Sequence, residues 1–358
     1  MKPDIRRPEA IDAAWLTTAL QSAGVDAVVS AFEAKPVGTG QIGDSVRFKL
    51  AYERGGDIAP ASLVGKFPSS DPNSFAMGVA GNNYLREVRF YQRLASTALI
   101  ATPRWYVADV DEATSEFILL MEDLAPAEQG DQLQGVTLDQ ARLAIDEAAK
   151  LHASHHGDAS LEDVPWVLGS QRGKPSLLQP DVLMGIWRTY EEQFGWRVTP
   201  RALEIGRRLA ERITTFLTLP HGLRCLTHFD YRPDNMMFAT PAGGRPVTIL
   251  DWQSVGLGAG AMDVGYFLAG ALEPDLRRAH EDELLERYFA GLAAHGVAAF
   301  DKAAVRRDYA AGALRLLMTA FLCAVQVKRT DRGDAMFAQM VRSAAEHAHD
   351  NEALALLD

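Results

Sequence analysis

The pattern of hydrophobic and polar positions divides the chain into a strand-rich first part and a helical second part. Helical spacing over 10–23 is followed by a strand ending at Val37, and Val46, Phe48 and Leu50 then alternate with polar residues. Further strands are predicted over 63–67, 105–109 and 116–121, with one helix over 74–95. This part therefore predicts five strands and one helix that follow a leading helix.

From 137 onward the spacing of apolar residues is mostly helical. Helices are predicted over 138–156, 182–196, 200–217, 283–295, 303–327 and 335–347. Two short apolar strands within 226–250 flank a polar loop, a glycine-rich loop spans 252–260, and a helix starts near 261. The chain thus predicts an α+β fold with two lobes, a small β-rich lobe over 1–123 and a larger, mostly helical lobe over 124–358.

Composition narrows the partners of this chain of 358 residues. The 36 Lys and Arg against 47 Asp and Glu give a net charge of −11, which argues against nucleic acid as a partner. Cys225 and Cys323 stand in apolar stretches and predict reduced, buried thiols. The start lacks the apolar run of a signal peptide, and the run over 316–325 is too short to span a bilayer. We expect a soluble, cytoplasmic protein without a membrane partner, and the oligomeric state stays open.

The polar loop between the two short strands carries the candidate chemistry. It contains His228, Asp230 and Asn235, and Asp251 follows the second strand. Asp230 can accept a proton from a hydroxyl, and Asn235 and Asp251 offer oxygens to Mg²⁺, which is what phosphoryl transfer requires. The spacing H-x-D-x-x-x-x-N is that of a protein kinase catalytic loop, with Phe229 in place of its Arg.

A glycine motif lies upstream of this loop. Gly38, Gly40 and Gly43 form G-x-G-x-x-G, which occurs both in dinucleotide-binding folds and in kinases. A dinucleotide fold needs a helix after the glycines, whereas the alternation here predicts a strand. The motif is therefore interpreted as the turn of a hairpin that folds over a triphosphate.

Three further features match nucleotide binding. Lys66 lies inside an apolar strand, where its burial is costly unless it is paired, so we interpret it as a ligand of the α- and β-phosphates. Glu87 on the following helix is the candidate partner of Lys66. The break after the strand that ends in Met121, Glu122 and Asp123 is the predicted hinge, whose backbone would contact the adenine of ATP.

At this point the sequence resembles the aminoglycoside phosphotransferase and choline kinase superfamily, and within it the ecdysteroid-kinase-like branch. The resemblance covers roughly 37–269 and is carried by the stretches LTHFD at 226–230, DN at 234–235, ILDWQ at 249–253 and DVGYFL at 263–268. It implies a protein-kinase-like fold, a catalytic base at Asp230 and Mg²⁺ ligands at Asn235 and Asp251. The list of implied nucleotide-binding residues is Gly38, Gly40, Gly43, Lys66, Glu87, Met121, Glu122 and Asp123. The family usually has Gly where this chain has Phe229, and its glycine loop varies.

The loop also resembles the D-L-K-P-E-N of protein kinases, which places Arg232 where a Lys steadies the γ-phosphate. Only twelve positions separate Asp251 from Asp263, and no D-F-G or A-P-E is present, so there is no room for an activation segment. The expected activity is ATP- and Mg²⁺-dependent phosphorylation of a small-molecule hydroxyl. Acidic net charge weakly favours an aminoglycoside, and the aromatic helix over 182–196 favours an apolar alcohol such as a sterol or hydroxyacyl compound. A choline-type acceptor, a nucleotide-binding pseudokinase and a dinucleotide-dependent oxidoreductase are the alternatives.

Overall fold

The N-terminal lobe is built on an antiparallel sheet. The computed structural model describes residues 3–38, 42–171, 179–297 and 299–358. Helix α1 (Ala13–Ser22) leads into five strands whose spatial order is β1-β2-β3-β5-β4. The strands are β1 (Val28–Pro36), β2 (Gly43–Arg54), β3 (Ser62–Pro68), β4 (Trp105–Val110) and β5 (Phe117–Glu122). The sheet confirms the predicted β-rich lobe.

The glycine motif connects two neighbouring antiparallel strands. Pro36 on β1 lies opposite Val46 on β2, so the chain between them reverses direction. Gly38 and Gly43 lie at the two ends of this turn, whereas Gly40 lies outside the described residues. Because a strand and not a helix begins at Gly43, the structure confirms the predicted hairpin and contradicts a dinucleotide-binding turn.

The helix predicted over 74–95 is in fact two helices, α2 (Pro72–Ala80) and α3 (Asn83–Arg93). Asn82 adopts a left-handed backbone with φ of 54°, which ends the helical path. Gly81 and two asparagines are poor helix formers, so the local sequence favours a break that apolar spacing alone does not show. The break leaves α3 free to pack one face on the sheet.

The C-terminal lobe is mostly helical. Its helices are α4 (Leu138–Ser154), α5 (Pro180–Phe194), α6 (Pro200–Glu211), α7 (Ile213–Leu217), α8 (Gly260–Ala271), α9 (Pro274–Ala294), α10 (Lys302–Gln326) and α11 (Asp331–Asp350). Its strands are β6 (Glu128–Gln129), β7 (Arg224–Thr227), β8 (Met236–Thr240), β9 (Gly243–Ile249) and β10 (Gly256–Ala259). The two-lobed α+β fold class is confirmed.

Two predicted elements of this lobe are wrong in detail. The single helix expected over 200–217 is interrupted at Arg212, which separates α6 from α7. The glycine-rich loop expected over 252–260 contains strand β10, whose Gly256 lies opposite Thr227 on β7. Glycines here permit close approach to the polar loop, because a Cβ on Gly256 would lie 2.4 Å from the ring of Phe229.

Helix α8 forms the centre of the lobe, since every one of its residues is buried. Helices α10 and α11 both pack on it. In the described part of the chain α10 is the one helix long and apolar enough to cross a membrane, but 72% of its most apolar window is buried inside the protein. It therefore behaves as a core helix of a globular lobe.

Candidate active site

A cavity of about 460 Å³ lies between the two lobes. Lys66, Glu87 and Met121 line it from the N-terminal lobe, and Asp230 and Asp251 line it from the C-terminal lobe. The sequence predicted a role in nucleotide or metal binding or in catalysis for these residues, of which Lys66 and Asp251 are 185 positions apart. The fold brings them to one space.

Asp230 sits in the polar loop that joins β7 to β8. Its Oδ1 accepts a hydrogen bond of 2.9 Å from the Tyr266 hydroxyl, and its Oδ2 accepts one of 2.9 Å from Asn235 Nδ2. Burial alone would raise the pKa of Asp230, but Arg232, His228 and these hydrogen bonds outweigh it and hold the pKa below its usual value. The carboxylate is therefore ionised and oriented, as a residue that accepts a hydroxyl proton must be.

The contribution of Tyr266 is testable through pH dependence. Tyr266→Phe removes a donor to the ionised carboxylate, so the pKa of Asp230 is expected to rise. Because transfer needs the deprotonated form, the acidic limb of the kcat/KM profile should move to higher pH. Tyr309→Phe, which removes a buried hydroxyl bound to Glu281 instead, is the matched control. An acidic limb that stays in place in Tyr266→Phe would contradict this role.

Asn235 and Asp251 are adjacent, because the Leu250 amide donates a 2.8 Å hydrogen bond to the Asn235 carbonyl. Asn235 uses its Nδ2 to bind Asp230, which leaves its amide oxygen as the atom able to bind a metal. Within the described ranges no group of three His, Cys, Asp or Glu residues suited to a metal ion occurs. Mg²⁺ in nucleotide sites usually takes one or two protein oxygens plus phosphates and water, so this donor set fits it.

Lys66 forms the predicted ion pair with Glu87. The Lys66 Nζ lies 2.5 Å from Glu87 Oε1 and 2.9 Å from Asp251 Oδ1. Burial would lower the pKa of Lys66, but the two carboxylates outweigh it and raise the pKa above its usual value. The second bond, to Asp251, connects the sheet lobe directly to the predicted metal ligand of the helical lobe, and the sequence did not predict this bond.

Arg232 is held between two carboxylates on the polar loop. Its Nε lies 3.3 Å from Asp230 and its Nη1 lies 2.9 Å from Asp234. The side chain lines the cavity, so its predicted role of steadying a γ-phosphate remains geometrically possible and stays a prediction.

The remaining predicted nucleotide-binding residues divide into two groups. Gly38, Gly43 and Met121 line the cavity. The side chains of Glu122 and Asp123 form ion pairs with Arg245 and Arg47 instead. That division is compatible with the prediction that the hinge binds adenine through its backbone, which stays a prediction.

Asp263 on α8 stabilises the backbone of the polar loop. Its carboxylate accepts the backbone amides of His228 and Phe229 at 2.6 and 3.0 Å. His152, buried at the end of α4, lies 3.4 Å from the same carboxylate and 2.9 Å from the Tyr288 hydroxyl. Asp263 therefore supports the polar loop through backbone amides. His152 is thus packed inside the lobe and is not solvated.

One wall of the cavity, here called the acceptor wall, is formed by α10 and α11. Its residues are Arg315, Thr319, Cys323 and Gln326 on α10 and Arg332, Met336, Phe337 and Met340 on α11. Spacings of three and four place each set on one helix face. Sequence reasoning missed this wall, because the spacing that marks a buried helix face also marks a face lining a cavity.

The aromatic helix α5 does not line this cavity. Trp187, Tyr190 and Phe194 are fully buried in the core of the helical lobe, and Trp196 is exposed. The expectation that this helix contributes to an apolar acceptor cleft is wrong for this cavity. The aromatic spacing reflects core packing instead.

The fold has the two lobes of a kinase-like phosphotransferase, with a cavity between them. The Lys66–Glu87 ion pair and Asp230 both line this cavity. The model of the "Phosphotransferase enzyme family" matches residues 76–336. The chain therefore belongs to this family, and it is an enzyme that phosphorylates an alcohol group on a small molecule. The predicted superfamily is confirmed, while the ecdysteroid-kinase-like branch stays a prediction.

Solved structures share the fold over almost the whole chain. A microcompartment-associated aminopropanol kinase is 14% identical, with 96% of this chain and 100% of that chain covered and a TM-score of 0.51. The GDP and kanamycin complex of APH(2")-IIia is 14% identical, with coverages of 94% and 98% and a TM-score of 0.50. The gentamicin complex of APH(2")-IIa is 15% identical, with coverages of 94% and 98% and a TM-score of 0.50. No curated protein matches the sequence significantly.

Proposed function

We propose that this enzyme transfers the γ-phosphoryl group of ATP to a hydroxyl of a small molecule, with Mg²⁺ bound at Asn235 and Asp251. The observation that carries the proposal is that two sites suited to phosphoryl transfer, one from each lobe, line the same cavity. One is the Lys66–Glu87 pair, which suits phosphate binding, and the other is the ionised Asp230. The known structure of APH(2")-IIia holds GDP, so GTP is the competing nucleotide to test.

The protein contributes orientation and charge in the proposed reaction. Lys66 holds the α- and β-phosphates, and Arg232 faces the γ-phosphate. The acceptor oxygen forms a bond to the γ-phosphorus as the bond from that phosphorus to the β,γ-bridging oxygen breaks. ADP leaves with the bond's electrons, and the hydroxyl proton passes to the Asp230 carboxylate. When bound, Mg²⁺ neutralises the phosphate charge. Positioning accounts for most of the rate, since little covalent chemistry falls to the protein.

The acceptor wall bears on which hydroxyl compound is phosphorylated. No Asp or Glu belongs to the acceptor wall, and the sequence has none at the positions outside the described ranges. A polycationic aminoglycoside or a choline-type cation requires nearby negative charge or an aromatic cage. We therefore rank these two acceptors below neutral and anionic hydroxyl compounds, such as the sterol and hydroxyacyl classes.

Two further aspects belong to this proposal. We divide the chain into a nucleotide-binding lobe over 1–123 and a catalytic and acceptor-binding lobe over 124–358, because the cavity lies at their junction. We also place the enzyme in the cytoplasm, where ATP and Mg²⁺ are abundant, without nucleic acid or membrane as partners.

The decisive experiment measures ADP formation from ATP, and GDP formation from GTP, over a panel of acceptors. The panel contains aminoglycosides, choline, sterols, hydroxyacyl compounds and small hydroxy acids, with and without a chelator of Mg²⁺. We expect turnover that depends on one acceptor class and on Mg²⁺. Asp251→Asn should shift the Mg²⁺ dependence to higher concentration, because one carboxylate ligand is lost. Nucleotide binding without any turnover would support a pseudokinase instead.

A further inference from the structure

Resting on the proposed phosphotransferase activity, we propose that the acceptor carries an anionic group, a carboxylate or a phosphate, which Arg315 binds while Asp230 binds its hydroxyl. Arg315 lies on the face of α10 that lines the cavity. The acceptor would therefore be a hydroxy acid or a phosphorylated alcohol. The sequence alone does not predict this role, because Arg315 lies in an apolar stretch of α10 that is far along the chain from the polar loop.

Arg315 is a guanidinium without a carboxylate partner. Its centre lies 4.4 Å from the centroid of the Phe229 ring. Over the described residues it donates no side-chain hydrogen bond and forms no ion pair within 4.0 Å. The undescribed positions contain no Asp or Glu that could supply a partner. Arg315 is half-buried, and the partial loss of its hydration lowers its pKa.

The other arginines of the cavity behave differently. Arg232 is paired with Asp230 and Asp234, and Arg332 is paired with Asp131 and Asp234. A desolvated charge is costly unless it is paired, and arginines in protein interiors are normally paired for this reason. Among the described cations that line this cavity, Arg315 is thus the one that a ligand anion would satisfy without displacing an internal partner.

The ring beneath Arg315 is held in an unfavourable backbone conformation. Phe229 has a φ of 64°, in the left-handed region that bulky residues rarely adopt. Its ring packs where Gly256 and Gly258 have no side chains, since a Cβ on these glycines would lie 2.4 and 2.7 Å from ring atoms. A glycine at 229 would relieve the backbone but remove the surface on which the guanidinium stacks. Strain of this kind is typical of functional positions.

The position of Arg315 suits an acceptor rather than the nucleotide. Phe229 directly precedes Asp230 in the chain, and both line the cavity together with Arg315. Thr319 and Cys323 lie on the same face of α10 and line the cavity, and Met336 and Met340 line it from α11. A molecule with its hydroxyl at Asp230 therefore has the Arg315 cation on one wall of the same cavity, among side chains that are mostly uncharged.

The test compares matched acceptors that differ only in charge. Hydroxy acids of several chain lengths are paired with their carboxamides, and glycerol 3-phosphate is paired with glycerol. We expect an anionic member to exceed its neutral partner by roughly 10- to 100-fold in kcat/KM, because charge-assisted hydrogen bonds to Arg are lost in the partner. The same pairs are titrated by calorimetry against the enzyme with Mg²⁺ and a nonhydrolysable ATP analogue.

Variants assign the preference to its residue. Arg315→Gln should abolish the preference through the acceptor KM and leave the KM for ATP unchanged, while Arg315→Lys should retain part of it. Phe229→Leu should weaken it, since the stacking surface shrinks. Arg329→Gln is the matched control, because Arg329 also stacks on a ring, that of Phe194, but pairs with Asp334 and does not line the cavity.

The outcomes separate this proposal from the proposed function. Equal use and equal binding of charged and neutral partners by the wild-type enzyme would overturn it. An equal fall in kcat with charged and with neutral acceptors in Arg315→Gln would also overturn it, because that result would assign Arg315 to the transferred phosphate. Failure of the phosphotransferase itself would appear differently, as absent ATP binding or as acceptor-free ATP hydrolysis that Asp230→Asn leaves intact.

Discussion

Asp230→Asn is expected to slow phosphoryl transfer by roughly 10²- to 10⁴-fold, the range typical of a lost general base. The substitution keeps the size of the side chain but removes the charge that accepts the hydroxyl proton. It also replaces one of the two carboxylate oxygens by an NH₂ group. The two oxygens that accept hydrogen bonds from Tyr266 and Asn235 are then no longer both present. The loss should therefore appear in kcat, measured as ADP formation with the preferred acceptor.

Nucleotide binding distinguishes this effect from a folding defect. Over the described residues Asp230 forms no hydrogen bond with Lys66 or Glu87, so the affinity for ATP should stay near that of the wild type. Asp234→Asn is a useful comparison, since Asp234 also binds Arg232 but lacks the contact with Tyr266. Its kcat should fall less. Wild-type kcat in Asp230→Asn would refute the assignment of the base.

Lys66→Met is expected to lower the free energy of unfolding by roughly 3–5 kcal/mol, the usual cost of leaving a buried carboxylate unpaired. Glu87 is buried, and without Lys66 it would face Asp251 with no cation between them. The double variant Lys66→Met with Glu87→Gln should recover much of this loss, because it removes the stranded charge. Urea unfolding of the wild type, the two single variants and the double variant measures the coupling energy between Lys66 and Glu87. ATP turnover should be low in all three variants.

An exposed pair provides the control for this cycle. Lys302 lies 2.8 Å from Glu286, and both side chains are more than half exposed. Lys302→Met should therefore change stability by less than about 1 kcal/mol, since water and salt screen such pairs. Equal costs for Lys66→Met and Lys302→Met would mean that the Lys66 pair is not desolvated in solution, contrary to the structure.

The local sequence pattern was sufficient to predict a structural element where the interactions that form that element are local. Alternation after Gly43 predicted the strand that distinguishes a hairpin from a dinucleotide turn, because side chains on a strand alternate between faces. The spacing of Asp230 and Asn235 likewise placed both residues in one short polar loop, and the structure adds the hydrogen bond between them. Apolar spacing failed at Asn82, where a backbone reversal interrupts an otherwise helical pattern.

The sequence by itself determined the order of the kinase-like elements and the ion pair of Lys66 with Glu87, and it predicted Asp230 as the base. The tertiary structure alone decided that Asp251 reaches Lys66, that Tyr266 donates to Asp230 and that Arg315 lies on Phe229 without a carboxylate partner. Periodicity records which face of an element is buried, but not which distant element covers that face. The residues that orient the base and select the acceptor come from such distant helices, so they emerge only when the chain is packed.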